Sequence, residues 1–461
     1  MTDIDRVLAH VDDTLDDSLE RLFSLLRIDS ISTDPAHADA CLRAADVMVE
    51  DLASIGFDAT RHDTPGHPMV VGRHDGSGTP HLLFYGHYDV QPVDPLELWH
   101  RPPFEPAIED TPAGCVIRAR GAADDKGQLM TFVEACRAWK TVTGKLPANV
   151  TVFLEGEEES GSPSLIPFLE AHRETLQADL ALVCDTGMWD ANTPTISTML
   201  RGMVGEELTI TGPSLDLHSG MYGGPAINPI RVLTRILADL HDDEGRITFD
   251  GFYDGVDEPT EQMLADWSSL GDDDGQFLAE VGLTTPAGEH GRSVLEQIWS
   301  RPTCEINGIE GGYTGVGFKT VIPSKATAKV SFRLVGRQDS ARIREAFQAH
   351  VAARLPPDCT AEYLTKDGSP AIVMPVDSPP FQAARVALTE EWGKPAVNAG
   401  CGGSIPVVGH LRDILGMESL LVGFGLDDDA IHSPNEKYSL KSFHKGIRSW
   451  VRILAALGER T

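Results

Sequence analysis

Apolar residues recur along this chain in two spacings, and the switch between them outlines the fold. Over residues 1–60 they fall three and four apart, as in Leu19–Leu26 and Ala44–Leu52, which predicts amphipathic helices. From 68 to 185, short continuous apolar runs alternate with helical stretches. The runs at 81–86, 149–154 and 179–184 read as buried strands. Between them lie one helix ending near Trp139 and another starting at Pro163. Strand–helix–strand repetition of this kind builds a mostly parallel sheet with helices on its faces.

The rhythm then changes. Glu206–Thr211 and Ala326–Val335 alternate apolar with polar residues, as antiparallel strands with one wet face do. Each is followed by a helical run, Pro229–Leu240 and Ser340–Leu355, with a polar, Gly- and Asp-rich passage over 242–293. The α/β pattern resumes at Phe381 and closes on a helix at Leu440–Leu457. The expected fold class is α/β: a mostly parallel central sheet flanked by helices, interrupted by an inserted α+β domain. The expected boundaries are 1–202 and 377–461 for the two parts of the larger domain and 203–376 for the insertion.

Composition narrows the setting. The chain has 461 residues, 41% of them apolar, enough for a large core in more than one domain. No run approaches the roughly 18 apolar residues of a membrane span. The start, Met1-Thr2-Asp3-Ile4-Asp5-Arg6, is acidic and lacks the order of a secretion signal. Seven cysteines without a Cys-x-x-Cys pair suit a reducing cytoplasm better than a disulfide framework or a thiolate zinc site. With 38 basic against 70 acidic residues, a net of −32, the chain is a poor match for nucleic acid or an anionic membrane. Most of these carboxylates read as solvated surface, Asp272-Asp273-Asp274 and Asp427-Asp428-Asp429 among them.

Four apolar runs end differently. Phe153-Leu154 enters Glu155-Gly156-Glu157-Glu158-Glu159. His81–Gly86 ends on His87-Tyr88-Asp89, whose His and Asp face one side. Asp179–Cys184 ends on Asp185, and Glu418–Gly425 is followed by His432. Ligands of an open α/β sheet bind outside the carboxyl ends of its strands. Alone, each residue has a plainer reading: His-x-Asp as a polar pair, three glutamates as a solvated run, one histidine among 16. Together they supply donors to one edge. Asp124, in a Gly-rich turn before a helix, is placed to bridge two cations, with His87 and Asp185 on one and Glu159 and His432 on the other. Three donors per ion leave room for water, as catalytic sites do. Imidazole with carboxylate fits Zn(II), with Mn(II) or Co(II) also suited. Asp89 can orient His87. Glu158 can shuttle a proton from water acidified between the ions.

The segments His87–Pro92, Arg120–Gly127, Glu158–Ser162 and His432–Lys437 resemble the motifs of dinuclear zinc dipeptidases of the carnosinase type, in the aminoacylase/glutamate carboxypeptidase superfamily of metallopeptidases. The resemblance extends through Asp216–Gly220, Gly308–Gly312, Lys319–Pro323, Ser331–Val335 and Gly402–Pro406. It implies a zinc-peptidase-like catalytic domain and two Zn(II) per subunit, held by His87, Asp124, Asp185, Glu159 and His432. It implies Glu158 as general base and a cis peptide between Asp124 and Asp125. The insertion would be a lid and the interface of a homodimer. His218 of the partner subunit would stabilise the oxyanion, Arg333 would grip the substrate carboxylate, and Thr320, Gly403 and Ser404 would complete the pocket. One position departs. Where such enzymes often carry glutamate before Gly-Gly-Ser, this chain has Cys401, which puts preference for a free amino terminus in question. The expected activity is hydrolysis of dipeptides or short peptides. The alternative is an N-acyl or N-carbamoyl amino acid amidohydrolase, and a non-catalytic relative would have lost ligands that are all present here.

Overall fold

A computed structural model describes residues 2–76, 78–271, 274–279, 281–403 and 405–458. Asp272, Asp273 and Ser404 lie outside the described residues. The chain packs as two compact units. One comprises Met1–Thr198, Met374–Ala399 and His410–Thr461, the other Met199–Val373 with Gly400–Gly409.

In the larger unit, Asn149–Glu155, His81–His87, Leu180–Val183 and Ser419–Leu421 lie side by side and run parallel. Their carboxyl ends share one edge. Met69–His74 and then Asp58–His62 extend the sheet antiparallel on one side, and Thr195–Leu200 is antiparallel to Ser419–Leu421 on the other. The sheet is therefore mixed, with a parallel centre and antiparallel flanks. A continuous apolar run such as Met69-Val70-Val71 looks the same in either direction, so the apolar pattern did not show this.

The helices Lys126–Thr143 and Leu440–Gly458 contribute to the core beside this sheet. Phe84 stacks on Phe132 with centroids 3.9 Å apart, and Trp450 meets Phe132 edge-on at 5.4 Å. Each wholly buried side chain of this size contributes about 1.5–3 kcal/mol. A second, three-stranded sheet joins Ala107–Thr111, Gly114–Arg118 and Lys437–Ser439. It ties the segment after His432 to the strand that leads into the Asp124 loop.

The smaller unit is an antiparallel sheet in the order Thr303–Gly311, Lys325–Leu334, Gly202–Thr211, Thr360–Ser369. Strict alternation along Gly202–Thr211 puts Val204, Leu208 and Ile210 on one face. Helices Pro229–Ala238 and Ser340–Arg354 bury Leu233, Ile236, Phe347 and Val351 in the same core. Among the described residues, no helix is long and apolar enough to cross a membrane.

Candidate metal centre

His87 ends its strand and is wholly buried. Its Nδ1 lies 3.3 Å from Asp89 Oδ1 and its Nε2 3.2 Å from Asp124 Oδ1. Asp89, also wholly buried, accepts the Glu159 amide on its other oxygen at 3.0 Å. Asp89 thus aligns an imidazole, through its main-chain carbonyl 3.2 Å from Nδ1, and a glutamate, through its carboxylate, at two neighbouring strand ends. Asp124 Oδ2 meets His432 Nε2 at 2.9 Å, and Glu159 Oε2 lies 3.3 Å from the same nitrogen. Ligand atoms of His87, Asp124 and Asp185 all lie within 4.8 Å of one another, and so do those of Asp124, Glu159 and His432. The two sets share Asp124.

Local sequence explains the placement. Asp124 closes a loop running from Gly114–Arg118 to the helix Lys126–Thr143, and the Asp124–Asp125 peptide is cis. A Cβ at Gly127 would come 1.9 Å from Ala122 O, so only glycine lets this helix start against the loop. His432 sits in a turn with φ 61°, and Asn435 follows with φ 67°. Non-glycine residues seldom take this left-handed conformation, asparagine more readily than most. Asn435 is held on both sides: the His100 amide donates to its Oδ1 at 2.8 Å, and its Nδ2 donates to Leu98 O at 2.8 Å.

Carboxylates this crowded repel one another. Burial raises the Asp185 carboxyl well above its usual range, and the Asp124 charge adds to the rise. Glu158, half-buried in the turn Glu158–Ser160, is pushed up to about 7. Burial is the main cause; His87 opposes it, while Glu159, Asp89 and Asp124 add to it. For Asp124 burial is outweighed by hydrogen bonds from His432 and His87, which hold it well below the usual range. His432 is raised to about 10 by hydrogen bonds to Asp124 and Glu159. Such a cluster calls for positive charge. Glu159 Oε1 is buried without a hydrogen-bond partner, as an atom aimed at a cation is. The donor types and their spacing fit two divalent ions with positions left for water.

The smaller unit carries the remaining expected site residues. His218 is exposed, and its Nδ1 accepts the Gly220 amide at 3.0 Å. It pairs with Val321 in a two-residue ribbon, and Thr320 O accepts the Ser219 amide at 3.0 Å, so His218 and Thr320 are neighbours. Arg333 lies between Met203 and Thr303 in the sheet. Gly403 O accepts the Arg201 amide, and Arg201 Nε donates to Gly402 O, each at 3.2 Å. Arg201 is lowered to about 10, first by burial and then by the Arg333 charge, against Cys401 and Glu305, which places these side chains in one neighbourhood. One surface expectation is corrected. Asp429 is wholly buried, accepting the Leu426 amide and Lys437 Nζ, each at 2.7 Å, while Asp427 and Asp428 are exposed.

Residues 83–456 match the Peptidase family M20/M25/M40. The chain belongs to this family. The Cys-Gly metallodipeptidase of Saccharomyces cerevisiae is 29% identical over 474 residues, covering 98% of each chain. A solved structure of the yeast di-peptidase Dug1p superposes with a TM-score of 0.83 at 28% identity, over 100% of this chain and 99% of that one. The M20 family metallo-carboxypeptidase Sso-CP2 of Sulfolobus solfataricus superposes with a TM-score of 0.85 at 30% identity, over 96% and 99% of the two chains. The Beta-Ala-His dipeptidase of Homo sapiens is 25% identical over 478 residues, 99% of this chain and 93% of that one.

Several residues that brace the expected site residues of this M20 peptidase were not singled out from the sequence. Gln91 Nε2 donates to Glu159 Oε2 at 2.7 Å. It stands two positions past Asp89, in the alternation that put His87 and Asp89 together, and that was the available signal. Asp125 Oδ2 accepts the His87 amide at 3.2 Å. Arg201 had no sequence signal, since its meaning comes from Gly402 and Gly403, far along the chain.

Proposed function

We propose that this protein is a dinuclear metal-dependent dipeptidase, hydrolysing the peptide bond of dipeptides or short peptides. The observation that carries the reading is the pair of three-donor sets sharing Asp124, with Glu158 beside them at the strand edge. The relatives lend support, since the yeast enzyme is named for Cys-Gly and the human one for Beta-Ala-His.

His87, Asp124 and Asp185 would hold one ion; Asp124, Glu159 and His432 would hold the other. Zn(II) suits these donors, with Mn(II) or Co(II) as substitutes. When bound, the ions would supply Lewis acidity to a water molecule and to the scissile carbonyl. Asp89 holds the His87 ring, and Gln91 holds Glu159. The Glu158 carboxylate takes a proton from the attacking water. The water oxygen bonds to the carbonyl carbon, the C–N bond breaks, and Glu158 gives the proton to the leaving nitrogen. Arg333 grips the substrate carboxylate with its planar fork. Thr320 and Gly403 line the pocket. His218 of the partner subunit stabilises the oxyanion.

The inserted domain is read as a lid and as the interface of a homodimer. Its edge strand Thr303–Gly311 exposes Ile306 and Ile309, a surface that invites a second strand. No disulfide joins the described cysteines, which fits a cytoplasmic enzyme. The test is a panel of dipeptides, N-acyl and N-carbamoyl amino acids with Zn(II) and Mn(II). Dipeptides are expected to turn over best. Preference for the acylated or carbamoylated compounds would replace this reading with an amidohydrolase.

A further inference from the structure

The segment that supplies His432 runs on to a glutamate that belongs to neither donor set. Glu436 is wholly buried. Its Oε2 accepts Arg120 Nη1 at 2.7 Å and the Gly121 amide at 3.0 Å. Its Oε1 accepts the amides of Ala123 at 2.8 Å and Asp124 at 3.1 Å. Four donors converge on one carboxylate, and three of them are backbone amides of the loop that carries the shared ligand. Arg120, 1% exposed, also donates through Nη2 to Pro92 O at 2.9 Å, next to Gln91. Immediately after Glu436, Lys437–Ser439 pairs with Gly114–Arg118, the strand that enters the same loop.

We infer that Glu436 is a positioning residue for the dinuclear centre, clasping the Asp124 loop to the His432 segment so that both ligands keep one geometry. The inference rests on the proposed metal-dependent activity and adds what holds its shared ligand in place. The plain alternative is a buried ion pair with Arg120 that serves the fold alone. An ion pair would need only the guanidinium. Three amides from one loop, aimed at the two oxygens of one side chain, specify the path of that loop.

The experiment compares wild type with Glu436→Gln. The amide side chain offers one accepting oxygen where the carboxylate offers two, and it turns an N–H group toward backbone N–H groups. In metal-free protein, amide hydrogen exchange at Gly121, Ala123 and Asp124 is expected to quicken at least tenfold, on the order of one lost hydrogen bond. Exchange in the helix Leu440–Gly458 should stay as it was. In a Zn(II) titration with a competing chelator, at least one ion should bind about 10–100-fold more weakly, the usual effect of losing a residue that orients ligands. Turnover of a dipeptide should fall with KM little changed. Unchanged loop exchange and unchanged metal affinity would overturn the inference. Uniform loosening across the larger unit would do the same, by assigning Glu436 to the fold. Glu436→Asp keeps the charge and shortens the reach, and it stands in if the glutamine variant does not fold. Failure of both to fold also defeats the inference. A wild type that binds two ions but hydrolyses no dipeptide would refute the proposed function instead, and the exchange result would remain readable.

Discussion

The expected site residues are set differently in the two compact units. In the larger one His87, Asp89, Asp125 and Glu436 are wholly buried, and the hydrogen bonds around them fix backbone as well as side chains. In the smaller one His218 is exposed on a two-residue ribbon, and Thr320, just before the ribbon's second strand, is exposed as well. A buried polar group keeps one position because any other leaves it unsatisfied, at a cost of about 1–3 kcal/mol. An exposed group trades partners with water freely. His87 and the groups around it are therefore held to one geometry, whereas His218 and Thr320 keep room to adapt.

The sharpest way to break that contrast is to remove the metal. Chelation should abolish dipeptide hydrolysis, and Zn(II), Mn(II) or Co(II) should restore it. Full activity in protein shown metal-free by elemental analysis would leave the buried donors without a purpose. The next effect belongs to Glu158. Glu158→Gln should keep both ions, because Glu159 is the ligand, yet lose about 10²–10⁴-fold in turnover as a proton shuttle is removed. If metal content falls and activity per bound metal holds, the roles of the two glutamates are exchanged.

The adaptable half is tested by complementation. Homodimers of Glu158→Ala and of His218→Ala should each be nearly inactive. After dissociation and random reassociation, about half the dimers are mixed, and each mixed dimer has one site with both residues intact. About a quarter of wild-type activity should return if the sites are independent. No recovery despite proven subunit exchange would show that His218 does not act across the dimer.

The smallest effect tests burial itself. Glu155 is wholly buried, and Tyr85 donates to it at 2.7 Å. Burial pushes its carboxyl from 4.5 up to about 8, against hydrogen bonds from Ser162 and Tyr85 and with added repulsion from Asp89 and Glu158. Between those values the folded chain keeps a proton that the unfolded chain has released. The group's contribution to stability is thus complete below pH 4.5 and is lost as pH rises through 8. Urea unfolding of metal-free protein at pH 5 and pH 8 should show Glu155→Gln gaining on wild type by a few kcal/mol, at about 1.4 kcal/mol per pH unit. Parallel stability curves would mean that Glu155 ionises as freely as a surface acid.

Much of this arrangement was legible in the sequence. A metal ligand at a strand end interrupts an apolar run, and the interruption is visible without knowing what lies beside it. That exposed His87, Asp185 and the glutamate cluster. Direction within the sheet was not legible at its flanks, since Met69-Val70-Val71 is apolar whichever way it runs. Gln91 and Glu436 lay inside segments already singled out, but spacing along a chain does not say which atoms a side chain will meet. Asp429 was misread as solvated because the charges beside it hid its pairing with Lys437.

His432 is 54% exposed, whereas His87 is sealed from solvent. A bound ion departs one ligand at a time, and the ligand that lets go first is the one water can replace. On the proposed assignment, the ion beside His432 would therefore exchange on a faster clock than its neighbour. The centre would then fill and empty in sequence, and under metal scarcity the population would pass through a half-loaded form before it is bare.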